Sequence, residues 1–213
     1  MAAQQQPTPT PAHAQAIAGG DVVAIKRTPA AAFARARELF RSGSKLDMGA
    51  LAAELGIARA TLYRWTGDRD KLLGDVAWEE LQAVLDHIER TTPGAGADYL
   101  ERGSGAFLDL ISDNPTLRAF LAAEGDFGLR VLTAPNGRLR PRLVARIRDM
   151  IAAQAERGAY RPPADPAVLA DGIVALGERF LYHRGDPAMN PDPATARQTI
   201  ALLLREPCPP PAP

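Results

Sequence analysis

Between Gly56 and Gly67 the chain reads IARATLYRWT, which places Arg59, Ala60, Thr61, Tyr63 and Arg64 within little more than one and a half helical turns. Guanidinium groups bond phosphate oxygens or the acceptor edge of guanine, hydroxyls bond phosphate, and a small methyl packs on the methyl of thymine. These are the groups a helix needs to read a major groove. Lys45, Arg69 and Lys71 flank the run and add cations on either side of it. A helix that only packs has no need of two glycine stops so close together, whereas a helix held clear of the body does.

Competing chemistries find little support. The histidines are His13, His87 and His183, and none falls in an HExxH or ExxH arrangement, so no metal is expected. Ser42, Ser44, Ser104 and Ser112 show no GxSxG, and GSGAF at 103–107 lacks the third glycine and the preceding strand of a dinucleotide site. The single cysteine, Cys208, cannot form an internal disulfide and has no ligand partner nearby. Neither a cofactor nor an enzymatic activity is expected.

The 213 residues carry no net charge, but the charge is unevenly placed. Residues 24–75 hold ten basic groups against six acidic ones, an excess of four that the remainder balances. A basic module joined to an acidic body suits a protein that touches phosphate with one end. No apolar run is long enough to span a bilayer, and MAAQQQPTPTPAHAQAIAGG lacks the charged start and apolar segment of a secretory signal. The chain is therefore expected in the cytoplasm, away from membranes.

Nearly everything between the Gln-, Pro- and Ala-rich start (1–25) and the Pro-rich end (206–213) has apolar residues at spacings of three and four, so an all-α fold without a sheet is expected. The two ends read as disordered. Thr28-Pro29, Asn114-Pro115, Asp165-Pro166 and Asp192-Pro193 pair a capping side chain with a proline that has no N–H to lose, and mark four helix starts. The first helix runs from about Pro29 to Ser42, burying Phe33, Ala36, Leu39 and Phe40. Asp47 caps a second that ends at Gly56, and Asp68 caps a long one reaching Thr91, with Ala77, Leu81, Val84 and Ile88 on one stripe widened by Trp78 and Leu85. Further helices are expected at about 97–112, 115–123, 140–157 (closed by Gly158), 166–183 and 193–205.

Counting outward from Gly56, Ala52 falls where two helices cross and only a small side chain fits, Leu51 and Leu55 face inward, Ile57 plugs the turn and Leu62 anchors the second helix. That is the pattern of a helix-turn-helix. The segment Phe33–Val76 resembles the N-terminal domain of the TetR family of bacterial transcriptional regulators, through ELF, AAELGIARATLYR and GDRDKLL. Trp65 and Thr66 depart from it, since the family usually shows His and Phe there. The resemblance implies that Thr61 and Tyr63 contact phosphate or bases, that Arg64 lies beside the backbone, and that Arg69, where the family commonly has Lys, grips a phosphate beside the free amides that open the long helix. The segment ALGERFLYHRGDPAMNPDPATARQTIALLL, with RWTGDRDKLLGDV, resembles the subgroup typified by the regulator of quorum-signal lactone degradation.

The resemblance further implies a DNA-binding domain over 26–72 and a ligand-binding and dimerisation domain over 73–205. In this arrangement a homodimer binds double-stranded DNA at a palindromic operator, and a small apolar or lactone-like effector releases it. Leu169, Ile173, Leu176, Phe180, Ile200 and Leu203 are the expected interface. Trp78, Leu81, Leu85, Phe107, Leu110, Ile111, Phe120, Phe127, Met150 and Gln154 are the expected pocket lining, with Glu178 and Tyr182 as polar contacts. The alternative is a helix-turn-helix protein without a small-molecule ligand, controlled by a protein partner or not at all; a pocket volume near zero would favour it and a cavity lined by these residues would favour a sensor.

Overall fold

The computed structural model describes residues 27–182 and 193–205, with only the backbone of 113 and 180–182. Both expected disordered ends, His13, His183, Cys208, the Asp192 cap and the side chains of Phe180 and Tyr182 lie outside what is described. The described residues form helices and no strand: α1 (Pro29–Arg41), α2 (Met48–Glu54), α3 (Arg59–Thr66), α4 (Arg69–Thr91), α5 (Gly96–Asp113), α6 (Pro115–Glu124), α7 (Asp126–Thr133), α8 (Arg140–Glu156), α9 (Pro166–Tyr182) and α10 (Pro193–Leu204). Among them no helix is long and apolar enough to cross a membrane.

The capping residues set these boundaries. Thr28 and Asn114 accept from the amides of Ala31 and Leu117 at 3.2 and 2.9 Å, Asp165 accepts from Ala167 at 2.7 Å, and a proline follows each cap. α2 ends in a Schellman turn, in which Ile57 N–H donates to Ala52 and Gly56 N–H to Ala53 across a glycine at φ 63°. Gly67, at φ 72°, ends α3 in a backbone region where a Cβ would be strained. α7 was not expected. It begins directly after Gly125 with no capping side chain and is only eight residues long, so neither a cap nor a sustained period announces it.

The interior divides into two apolar clusters. One joins Ala32, Ala36, Phe40, Leu51, Ala52, Leu62, Leu72, Leu73 and Val76 of the first four helices with Phe120, Val131, Leu132 and Leu139 from beyond residue 100. The other joins the middle of α4 with α5, α8, α9 and α10. Leu81 and Leu117 touch both. The core under the first three helices is thus completed by α6 and α7, and Phe120, a ring expected to line a pocket, is instead a plug in it, 4.6 Å from Phe40.

Candidate nucleic-acid interface and effector cavity

α2 and α3 cross at Ala52, which is buried, and Leu62 fixes the rotation of α3 about its own axis. Leu62 is 0% exposed and its neighbour Tyr63 is 46% exposed, so the helix has one face in the core and one in solvent. Arg59, Ala60 and Arg64 are exposed and Thr61 is half-buried at the edge. Lys45 and Arg64 have no ion-pair partner among the described residues, whereas Arg35, Arg37 and Arg41 are bonded to Glu54 and Glu38, Glu79 and Glu80, and Glu80 respectively. Much of the basic excess read from the sequence therefore ties helices together, and the cations left for a polyanion cluster around α3.

Arg59 lies across the first turn of α2. A Cβ at Gly49 would collide with its guanidinium, so a glycine there gives it room. The amides of Ala50 and Gly49 hold the exposed Asp47 carboxyl below its ordinary range, with smaller contributions from Arg59 and Arg69. Asp68 is lowered in the same way, first by the amide of Lys71, which donates to it at 2.8 Å, and then by the Lys71 ammonium. That amide, expected to be free for an anion, is thus occupied.

Arg69 points inward. Its Nε donates to the Leu46 carbonyl at 2.6 Å, its Nη2 donates to Glu124 at the end of α6, and its guanidinium lies 4.1 Å from the ring centroid of Phe127. The Glu124 side chain is 1% exposed and also accepts from the Leu46 amide at 3.0 Å. Placed this way, Arg69 ties the head, α1 to α3 with the start of α4, to α6 and α7 and is not an exposed phosphate ligand. Phe127, expected as pocket lining, is its aromatic platform.

Behind the head lies a cavity of about 170 Å³. Leu81, Val84, Phe107, Leu110, Ile111, Leu117, Leu132, Leu139, Leu143 and Val174 give it apolar walls, and Glu80, Asn114, Thr116, Arg140 and Glu178 supply the polar groups. Leu81, Phe107, Leu110, Ile111 and Glu178 were expected here. Trp78 and Met150 pack on the core from outside the cavity, Leu85 is buried in the core itself, and Gln154 accepts from the amide of Gly96, closing the start of α5 at 3.0 Å. None of the four lines the cavity. The sequence reading missed four of these polar groups, Glu80, Asn114, Thr116 and Arg140; the charged pair among them, Glu80 and Arg140, carries no local signal, because the partners are distant in sequence.

The charges at this cavity are compensated. Arg140 donates to Glu178 at 2.8 Å and lies 2.9 Å from Asp171. Burial works against its charge, but Asp171 and Glu178 outweigh this and raise it above the ordinary arginine value. Burial pushes the Glu178 carboxyl up, and Arg140 only partly offsets it. Burial also pushes Glu80 up, but hydrogen bonds from Arg41 and Arg37 prevail and leave it below its ordinary range. No group of three or more His, Cys, Asp or Glu among the described residues is arranged to hold a metal.

The expected interface residues divide. Leu169, Ile173 and Ile200 are buried within their own chain, and Leu176 and Leu203 are half-buried. The large exposed apolar side chains described on α9 and α10 are Val168 (65%) and Leu202 (62%), and Ala175 is exposed as well.

Comparison with known proteins identifies the family. Residues 95–205, over half of the chain, match the family described as tetracyclin repressor-like, C-terminal domain. The structure is similar to that of the transcriptional repressor QsdR of the TetR family from R. erythropolis, with a TM-score of 0.71 and 28% identity, covering 83% of this chain and 93% of that one. The TetR family transcriptional regulator PfmR from Thermus thermophilus also aligns, at 21% identity over 84% of this chain and 96% of that one, with a TM-score of 0.43. No curated protein matches. Members of the family so matched are non-enzymatic DNA-binding regulators that dimerise and take small-molecule effectors. A C-terminal half that matches this family, behind a helix-turn-helix whose polar edge faces solvent, leaves one conclusion: the chain belongs to the TetR family of transcriptional regulators.

Proposed function

We propose that this chain is a repressor that binds a palindromic operator as a homodimer in the cytoplasm and leaves it when a small uncharged molecule, apolar or lactone-like, enters the cavity. The observation that carries the reading is the rotation of α3, with Leu62 sealed in the core while Tyr63 and Arg64 face solvent. In this reading Thr61 and Tyr63 meet bases or phosphate, Lys45, Arg59, Arg64 and Lys71 meet phosphate, and Ala60 lets the helix approach closely.

The character of the cavity supports this ligand class. Its walls are apolar and each of its charges has a partner, so an ion entering it would lose hydration without gaining an unpaired counter-charge. An apolar cavity of roughly 150 Å³ admits benzene. The cavity here, at about 170 Å³, therefore suits a ring-sized molecule whose single polar end meets Arg140, Asn114 or Thr116. A cavity of this volume, lined by five of the residues expected there, Leu81, Phe107, Leu110, Ile111 and Glu178, supports a sensor over a regulator controlled by a protein partner alone.

The dimer surface we propose is the exposed face of α9 and α10, with Val168, Ala175 and Leu202 as its apolar centre and Leu176 and Leu203 beside it. Val168→Asp with Leu202→Asp is expected to give a monomer by sedimentation and to abolish operator binding, because a single head cannot span two half-sites. Gel-shift of the purified protein on the DNA upstream of its own gene, with and without extracted cell metabolites, tests the whole reading. A shifted band that the extract removes supports it. No shift on any upstream fragment contradicts it.

A further inference from the structure

We infer that Glu124 is a positioning residue for DNA reading: the carboxylate that sets the angle of the helix-turn-helix against the body and transmits movement of α6 to it. The inference rests on the DNA-reading role proposed above, and the observations come from one helix. α6 is ten residues long, a rod of roughly 15 Å. Its first residues, Thr116 and Leu117, with the cap Asn114, line the cavity. Its remaining turns are set into the head. Ala119 abuts Gly43, where a Cβ would come within 2.5 Å of the alanine Cβ, and Phe120 stacks on Phe40. Glu124 ends the helix, and its two oxygens take the Leu46 amide and the Arg69 guanidinium.

Those two partners are well placed for the task. Leu46 directly precedes the Asp47 cap of α2, and Arg69 opens α4 directly after α3 has ended, so the carboxylate holds the chain at both ends of the reading unit. Arg69 closes the ring by donating its Nε to the Leu46 carbonyl. A buried carboxylate is costly unless its bonds are made, so the junction favours one geometry over a continuum of hinge angles. A molecule that displaces the start of α6 has to move or break this ring. The apolar contacts at Phe120 would let the head slide; the charged ring makes its position discrete.

The test separates positioning from stability. An operator is first obtained by in vitro selection with the wild-type full-length chain, and duplexes are then made with one base pair added at its centre. The wild type is expected to lose about tenfold in affinity on the longer duplex, comparable to the effect of one mismatched base pair. Glu124→Gln keeps the shape but not the charge and is expected to lose less than about threefold, because loosened heads adapt to either spacing. Hydrogen exchange in the same variant should quicken at residues 44–50 and 66–72 and stay unchanged in α8 and α9. Arg69→Met, at a partly exposed site, is expected to behave alike and takes over should Glu124→Gln fail to fold. Full discrimination in both variants, or an equal loss on both duplexes with unchanged exchange, overturns the inference while the regulator reading stands. Selection that enriches no site with the wild type overturns that reading, and the inference with it.

Discussion

The reading edge and the cavity handle charge in opposite ways. Around α3, Lys45 and Arg64 are exposed and have no ion-pair partner among the described residues; around the cavity, Arg140 is matched by Glu178 and Asp171, and Glu80 by Arg37 and Arg41. A free surface cation keeps its hydration and releases counterions when it meets a polyanion, so leaving it unpaired costs little and serves a DNA partner. A half-buried charge without a partner would cost several kcal/mol, and a cavity whose charges are compensated is what the neutral ligand proposed above requires. One chain thus holds two sites of opposite electrostatic character, joined by the short rod α6.

The comparison is broken most directly at its two ends. Tyr63→Ala and Thr61→Ala should each weaken operator binding by about 1–3 kcal/mol, roughly 5- to 150-fold, and relax sequence preference, as read by anisotropy on matched and mismatched duplexes. Loss of affinity with preference intact would make these residues backbone contacts only. Arg140→Ala tests the other end. It should leave ligand-free operator affinity and its salt dependence unchanged, and it should weaken an effector by about tenfold, the usual worth of a hydrogen bond to a charged group.

A finer test uses Gly49. Replacing it with alanine removes a helix glycine, which favours the fold by roughly 0.5–1 kcal/mol, while displacing the flexible end of Arg59. A higher melting temperature with weaker operator binding is expected. The smallest effect is in acid. Asp47, Asp68 and Glu80 are held below their ordinary range, so the stability they contribute is complete above about pH 4 and is lost as pH falls through their folded values. Glu178 is raised, so its contribution has the opposite sign and falls as pH rises. In thermal melts between pH 7 and 3, Asp68→Asn should flatten the acid limb and Glu178→Gln should not.

The same two regions differ in how far the sequence announces them. The rotation of α3 was legible because it starts only a few residues past a glycine turn, and so short a connection leaves Leu62 one place to go. α9 has no such constraint. Leu169 and Ile173 share one apolar face and Val168 lies on another, and only the packing of α5, α8 and α10 decides which is internal. Arg69 was misread for a related reason: its position at a helix start suits an anion, and nothing local reveals that Glu124, 55 residues later, already fills that role. The cavity walls from α6, α7 and α8 depend on long-range packing in the same way, and α7 was not expected at all.

The claim on which the rest depends is that the solvent edge of α3 reads DNA, and the salt dependence of operator affinity tests it most directly. Anisotropy titrations across a range of salt, for the wild type, Arg64→Ala and the body variant Arg197→Ala, should show the log–log slope reduced by about one for Arg64→Ala alone. An equal slope in all three proteins, or a slope that falls only for Arg197→Ala, would place the DNA elsewhere on the molecule.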